Sequence, residues 1–174
     1  DIMYKKVLLG LMVIFLSGLV AGSVYVYSYD YRVADNLSAY CNIDFRSRFQ
    51  PRTNQLVGAT LELVDFRFSS QPLEPFCLLD VDGEIYRLEA QSAEFKPAPR
   101  TLGSFAGVDS LKNKSRILVP LPLPVLTAIE RAEQVKVSFR YAGSEAAVEL
   151  PLSQPDLQYW KKQLQKETAS NEYE

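Results

Sequence analysis

The chain has 174 residues, enough for one domain or for one domain and a membrane segment, with a formal net charge of −2 and ordinary shares of apolar (47%) and charged (23%) residues. That balance offers no basic stripe for a nucleic-acid partner. Histidine is absent, which removes the commonest general base, metal ligand and near-neutral switch; the two cysteines, Cys41 and Cys77, are too far apart for a Cys-x-x-Cys zinc or redox motif.

The average hides an asymmetry. From Val7 to Tyr29 no residue carries a charge. As a helix this run would be ~34 Å long, enough to cross a hydrocarbon core of ~30 Å. Lys5 and Lys6 flank its start, whereas Tyr25, Tyr27, Tyr29 and Tyr31 mark its far side. Positive charge favours the cytoplasmic flank and tyrosine the headgroup level. The expectation is a cytoplasmic N-terminus over residues 1–6, a transmembrane helix over 7–29 and a juxtamembrane linker over 30–39. A β-rich extracytoplasmic domain over 40–166 and a polar tail over 167–174 would follow. A cleaved secretory signal would need a small-residue site such as Val20-Ala21-Gly22, but the apolar run continues beyond the length of such a segment.

A basic leader, a glycine (Gly10) and a long apolar stretch resemble type IV pilin subunits. The glutamate at that family's fifth mature position would fall on Phe15, and this departure sets the resemblance aside. Within the run, Gly18 and Gly22 form a Gly-x-x-x-Gly pair with Ser17 and Ala21 beside it. Small residues four apart allow close approach of a second helix, so this face is a candidate packing surface for another membrane subunit.

Beyond Tyr40 the pattern has the period of strands. Cys41, Ile43 and Phe45 alternate with Asn42, Asp44 and Arg46. Residues 56–68 continue with Leu61, Leu63 and Phe66 as the apolar positions, over a length too long for one regular strand. Phe76–Val81 and Glu84–Leu88 flank Asp82-Gly83, a hairpin signature because both turn residues tolerate positive φ. Asp80, Asp82 and Glu84 resemble a fragment of a calcium loop, but its remaining ligands are missing. Residues 91–115, with Pro97, Pro99, Gly103 and Gly107, read as a long loop anchored by Phe95 and Phe105.

Arg116–Val119 reads as a strand. Pro120, Pro122 and Pro124 introduce a helix with Val125, Leu126, Ile129 and Ala132 on one face. Val135, Val137 and Phe139, a turn at Ala142-Gly143-Ser144, then Val148 and Leu150 give a second hairpin. A final helix is capped by Ser153 with Asp156 three residues on, and docks Leu157, Trp160 and Leu164. The expected fold is mainly β, about seven strands in a sandwich or partly open barrel, with two short helices and the N-terminal membrane helix.

Few residues suggest chemistry. In an oxidising compartment Cys41 and Cys77 would form a disulfide; the alternative is two buried thiols acting as small hydrophobes. Arg46, Arg48 and Arg52 could meet lipid headgroups or an acidic partner, or simply be the polar side of a strand. Serine and lysine are present, yet no spacing singles out a nucleophile with its base. No catalytic, cofactor-binding or metal-ligating set is expected. These features suggest a non-catalytic accessory, assembly or scaffolding subunit of a membrane protein complex, in a bacterial inner membrane with its domain in the periplasm. Its partners would be other membrane subunits and the lipid bilayer. The alternative is an anchored binding module for a lipid, peptide or small ligand.

Overall fold

A computed structural model describes residues 26–67, 69–97 and 113–165. In chain order these form β1 (Val26–Asp30), β2 (Tyr40–Phe49), β3 (Leu56–Arg67), β4 (Phe76–Val81), β5 (Glu84–Glu89), β6 (Ser92–Pro97) and β7 (Asn113–Leu121). Helix α1 (Leu123–Arg131), β8 (Val135–Arg140), β9 (Ala147–Pro151) and helix α2 (Gln154–Leu164) complete them. The strands form two antiparallel sheets. Sheet I has the order β1-β2-β3-β7-β6 and sheet II the order β5-β4-β8-β9.

The two sheets bury their apolar faces against each other. Sheet I contributes Ile43 and Phe45 of β2, Leu61 and Leu63 of β3, and Ile117 and Val119 of β7; sheet II contributes Leu79, Val137, Phe139, Val148 and Leu150. Alternation places these side chains on one face of each strand, as the period of two requires. The sandwich is partly closed at its edges. On one side only Ala90 and Gln91 separate β5 from β6, and the chain passes from sheet II to sheet I there, with the Gln91 amide donating to the Leu118 carbonyl at 2.7 Å. On the other side Tyr29 Oη donates to the Pro151 carbonyl (3.4 Å) and Asn36 Nδ2 to the Ala147 carbonyl (3.3 Å), which brings β1 alongside β9.

Both helices fill the interior at one end. Val125, Leu126 and Ile129 of α1, with Ala132 just after it, are buried as their spacing implies, and Pro124 lies in its first turn. Helix α2 is closed by the expected capping box between Ser153 and Asp156, and buries Leu157, Trp160 and Leu164. Trp160 stacks on Phe45 with ring centroids 4.5 Å apart, and both rings are inaccessible to solvent. The β4–β5 turn also forms as expected, with Asp82 at φ 51° and Gly83 at φ 92°, the paired positive values of a two-residue hairpin.

Three segments depart from the sequence reading. Val26–Tyr29, inside the range assigned to a membrane helix, is the strand β1, paired in register from Val26↔Asp44 to Asp30↔Tyr40. Its Tyr27 and Tyr29 do not form a headgroup belt but are buried in the domain, where Tyr27 Oη donates to the Asp156 carbonyl at 3.2 Å. Leu37 and Ala39, assigned to a linker, are buried too. Among the described residues no helix is long and apolar enough to cross a membrane. Residues 7–25 of the apolar run lie outside them, including Ser17, Gly18, Ala21 and Gly22.

The second departure concerns residues 56–68. Leu56–Arg67 is a single strand of 12 residues, long because it pairs with β2 on one side and β7 on the other. Its inward phase continues from Leu61 and Leu63 to Asp65 and Arg67, while Phe66 faces outward and stacks on Tyr40 at 4.6 Å. The third concerns the long loop. Ser92–Pro97 is the edge strand β6, and β7 begins at Asn113. Phe95 is partly exposed rather than an anchor. With β1 and β6 the fold has nine strands rather than about seven.

The position of β1 yields a direct test. A fragment beginning at Val26 should unfold cooperatively with a Tm within a few degrees of the full chain. One beginning at Tyr40 removes Tyr27, Tyr29 and Leu37 and strips β2 of a neighbour, so its far-UV signal should melt broadly and ~10 °C lower, losses of several kcal/mol being worth ~2–4 °C per kcal/mol in a domain of ~150 residues. Equal thermal profiles for the two fragments would show that β1 is dispensable.

Candidate functional site

Two places gather the charged residues that sequence singled out or overlooked. The first is interior. Asp65 and Arg67 sit on the inward face of β3, and Tyr141 directly follows β8 of the opposite sheet. Tyr141 Oη donates to Asp65 Oδ1 at 2.8 Å, and the Arg67 guanidinium lies 3.5 Å from the centre of the Tyr141 ring. Arg67 Nη1 donates to the Gln71 carbonyl (2.7 Å), and Ser115 Oγ accepts from the Leu73 amide (2.9 Å). Leu73 in turn forms an isolated bridge with Tyr141, so the group ties sheet I to sheet II.

Burial dominates the electrostatics of this cluster. It pushes the Asp65 carboxyl up to about 6, although the Tyr141 hydroxyl and the Arg67 charge both oppose the shift. Burial likewise raises Tyr141, with the Asp65 charge adding to it, and lowers Arg67. Asp65 Oδ2 has no hydrogen-bond partner among the described residues. A carboxyl titrating near 6 has the affinity of a proton carrier, but Asp65 is fully buried and could not touch a substrate. The cluster acts as a polar tie between the sheets. Sequence reasoning missed it, although the phase Leu61, Leu63, Asp65, Arg67 was there to be continued.

Cys41 pairs with Asp65 in the β2–β3 register, and Cys77 lies on β4 of the other sheet. In this structure both are free, buried thiols, the second of the two expected arrangements. Desolvation, with the neighbouring Asp65 charge, holds Cys41 far above the ordinary thiol range, and burial pushes Cys77 up to about 12. Neither is poised as a nucleophile.

Around the β4–β5 turn, Asp80 Oδ1 accepts from the Gly83 amide (2.8 Å), and the Asp82 carboxylate accepts from the amides of Glu133 and Gln134 (3.0 and 2.7 Å). These carboxylates brace the turn against the segment between α1 and β8. Among the described residues no group of three His, Cys, Asp or Glu is placed to hold a metal ion.

The second place is the end of the sandwich formed by the β2–β3 hairpin. Arg46, Arg48 and Arg52 divide here. Arg46 belongs to an ion network across the outer face of sheet I, 2.5 Å from Asp44 and 3.7 Å from Glu62, which also meets Arg116 at 2.5 Å. Arg48 and Arg52 are exposed and form no ion pair among the described residues. Ser47 Oγ donates to the Gln163 carbonyl, which sets the last turn of α2, with Lys161 and Lys162, at the same end of β2 but on the inner side of sheet I, whereas the alternation of the strand places Arg48 on its outer face.

No family model, curated protein or solved structure matches the chain.

The Asp65 carboxyl gives stability a pH dependence whose sign follows from its shift. Its folded value, about 6, lies above the unfolded value of 3.8, so the fold favours the neutral acid. The favourable contribution is complete below pH 3.8 and disappears as pH rises through 6. Ionising it in place costs ~3 kcal/mol at ~1.4 kcal/mol per unit. Asp65→Asn keeps the shape without the charge. Relative to this variant, the wild type should lose up to ~3 kcal/mol of stability between pH 4 and pH 7 in urea titrations. Parallel pH profiles for the two proteins would mean that Asp65 is not held near 6.

The thiols have their own readout. Native protein should resist maleimide at pH 7 over hours, and unfolding in urea without reductant should yield two adducts by mass. A mass with no adduct after unfolding would restore the disulfide.

Proposed function

We propose that this chain is a non-catalytic accessory or scaffolding subunit of a membrane protein complex, anchored by its N-terminal apolar segment with the β-sandwich outside the cytoplasm. The observation that carries this reading is continuity: no charged residue intervenes between Val7 and the start of β1 at Val26. The 19 uncharged residues before β1 would span ~28 Å as a helix, close to the thickness of a hydrocarbon core. Lys5 and Lys6 favour an inward N-terminus.

The interior supports an interaction role more than a carrier role. Trp160, Phe45, Phe139, Leu79 and Leu126 occupy the space between the sheets and are almost fully buried. A ligand between the sheets would have to displace them. Among the described residues the strongly shifted carboxyl, Asp65, is sealed inside and serves the fold. What remains for function is surface and anchor.

Gentle solubilisation from the native membrane should bring down a membrane protein in fixed stoichiometry with this chain. Gly18→Leu/Gly22→Leu adds two isobutyl groups to the small-residue face while leaving the segment hydrophobic. This variant should reach the membrane at the normal level and retain less than a tenth of that partner, because a close helix crossing cannot accommodate the bulk. A chain that migrates alone in several mild detergents, with a crosslinker present before extraction, would refute the accessory reading.

A further inference from the structure

We infer that the β2–β3 hairpin end is a docking face for an anionic lipid bilayer, formed by Arg48 and Arg52 with Lys161 and Lys162 of α2 and flanked by exposed Val57 and Leu123. The inference rests on the membrane anchoring proposed above and adds the face of the domain and the headgroup class that it meets.

Topology locates the face. Strand β1 is antiparallel to β2, and its first residue, Val26, lies opposite Asp44. The chain therefore enters the domain on the side toward which β2 runs. Strand β2 continues past that point to Phe49, overhanging the entry by five residues, or ~17 Å at ~3.4 Å per residue, before the 50–55 turn. The uncharged sequence that precedes Val26 leaves no spacer to lift this overhang away from a bilayer. A hairpin in that position lies in or along the headgroup layer.

The composition of the overhang fits that place. From Phe45 to Leu61 the sequence contains three arginines and no acidic residue. The chain also reaches this end where β7 finishes, since Ala59 pairs with Leu121, and residues 117–129 are uncharged. Two large apolar side chains are exposed here: Val57, two residues before Ala59, at 49%, and Leu123, two residues after Leu121, at 50%. The α2 terminus adds Lys161 and Lys162, held there by the Ser47–Gln163 hydrogen bond and the Phe45–Trp160 stack. Cationic side chains without ion-pair partners among the described residues, at the same end as exposed apolar ones, match a surface that is negative at the headgroups and apolar beneath. Arg46 is excluded from the face because Asp44 and Glu62 already neutralise it.

The test uses the full chain reconstituted into two kinds of vesicle, pure phosphatidylcholine and phosphatidylcholine with about a third phosphatidylglycerol. Thr53→Cys, at the hairpin turn, carries an environment-sensitive fluorophore; the buried native thiols set the background. Flotation first reports anchoring, and a chain that floats with neither vesicle overturns both the anchoring and this inference. With anchoring intact, the probe should blue-shift in the anionic vesicles alone, and ~0.5 M NaCl should reverse the shift by shortening the screening length. Arg48→Gln/Arg52→Gln should lower the docked-to-free ratio by roughly 25-fold, at about fivefold for each basic side chain near such a surface. An unchanged probe spectrum in both vesicles, with normal flotation, overturns the docking face and leaves the anchor standing. If the double variant keeps its lipid response but loses a co-purifying protein, the arginines serve an acidic protein surface, and the inference is wrong.

Discussion

The sandwich depends on the contact between Trp160 and Phe45. At the end where β2 runs past β1, the inward face of β2 packs on helix α2. The helix lays Trp160 parallel to the Phe45 ring and sets Tyr159 edge-on to Tyr27. The indole nitrogen has no partner among the described residues, so the large buried ring area must outweigh that loss. Because α2 is the last of the described elements, Ser47 and Gln163 meet across 116 positions of sequence. Contacts at that separation pay the loop-closure entropy before they return anything, which places completion of the core late in folding.

The polar tie has the opposite logic. Asp65 sits where apolar packing would be less costly, since removing a carboxylate from water outweighs the help given by Tyr141 and Arg67. What the arrangement provides is geometry. A 2.8 Å hydrogen bond from Tyr141, backed by the Leu73–Tyr141 bridge and the Ser115 hydroxyl, fits one register between the sheets. Leucine and valine faces alone would tolerate several. Stability from α2 and register from Asp65 are thus separate contributions, made by different parts of the same interior.

Much of this was legible in the residues. The alternation of Cys41, Ile43 and Phe45, the Asp82-Gly83 turn, the proline-led helix and the Ser153 capping box are local signals, and each formed as its chemistry implies. Longer-range determinants were not legible. Val26–Asp30 has too few residues to distinguish a strand from the end of an apolar helix, and only the facing backbone of β2 decides it. Ser92–Pro97 has loop composition and becomes a strand because β7 offers a free edge. Phe66 looked like the core residue of its segment because aromatic side chains are usually buried. The phase of the strand overrode that, turning Asp65 and Arg67 inward. The arrival of Lys161 and Lys162 at the β2–β3 hairpin end follows only from the docking of α2 on Phe45 and Ser47, so no spacing could have announced it.

The reassignment of β1 also alters the membrane argument. Tyr27 and Tyr29 had been the residues expected at the headgroups, yet both hydroxyls donate within the domain, to Asp156 and Pro151. Tyr31 is exposed, but it lies beyond the far end of β1, ~17 Å of strand away from Val26. Aromatic anchoring from this stretch is therefore largely lost. In the proposed arrangement the interfacial role passes to the arginines of the overhanging hairpin and the lysines of α2. That exchange has a mechanical consequence. A tyrosine belt on a linker would let the domain tumble, whereas a charged hairpin on the same rigid sheet that receives the proposed anchor would fix the domain by two points. Two points leave only rotation about the line joining them, and the exposed Val57 and Leu123 would resist that rotation by entering the interface. A domain so held would present a constant face to neighbours in the membrane plane, the property that the proposed scaffolding role requires.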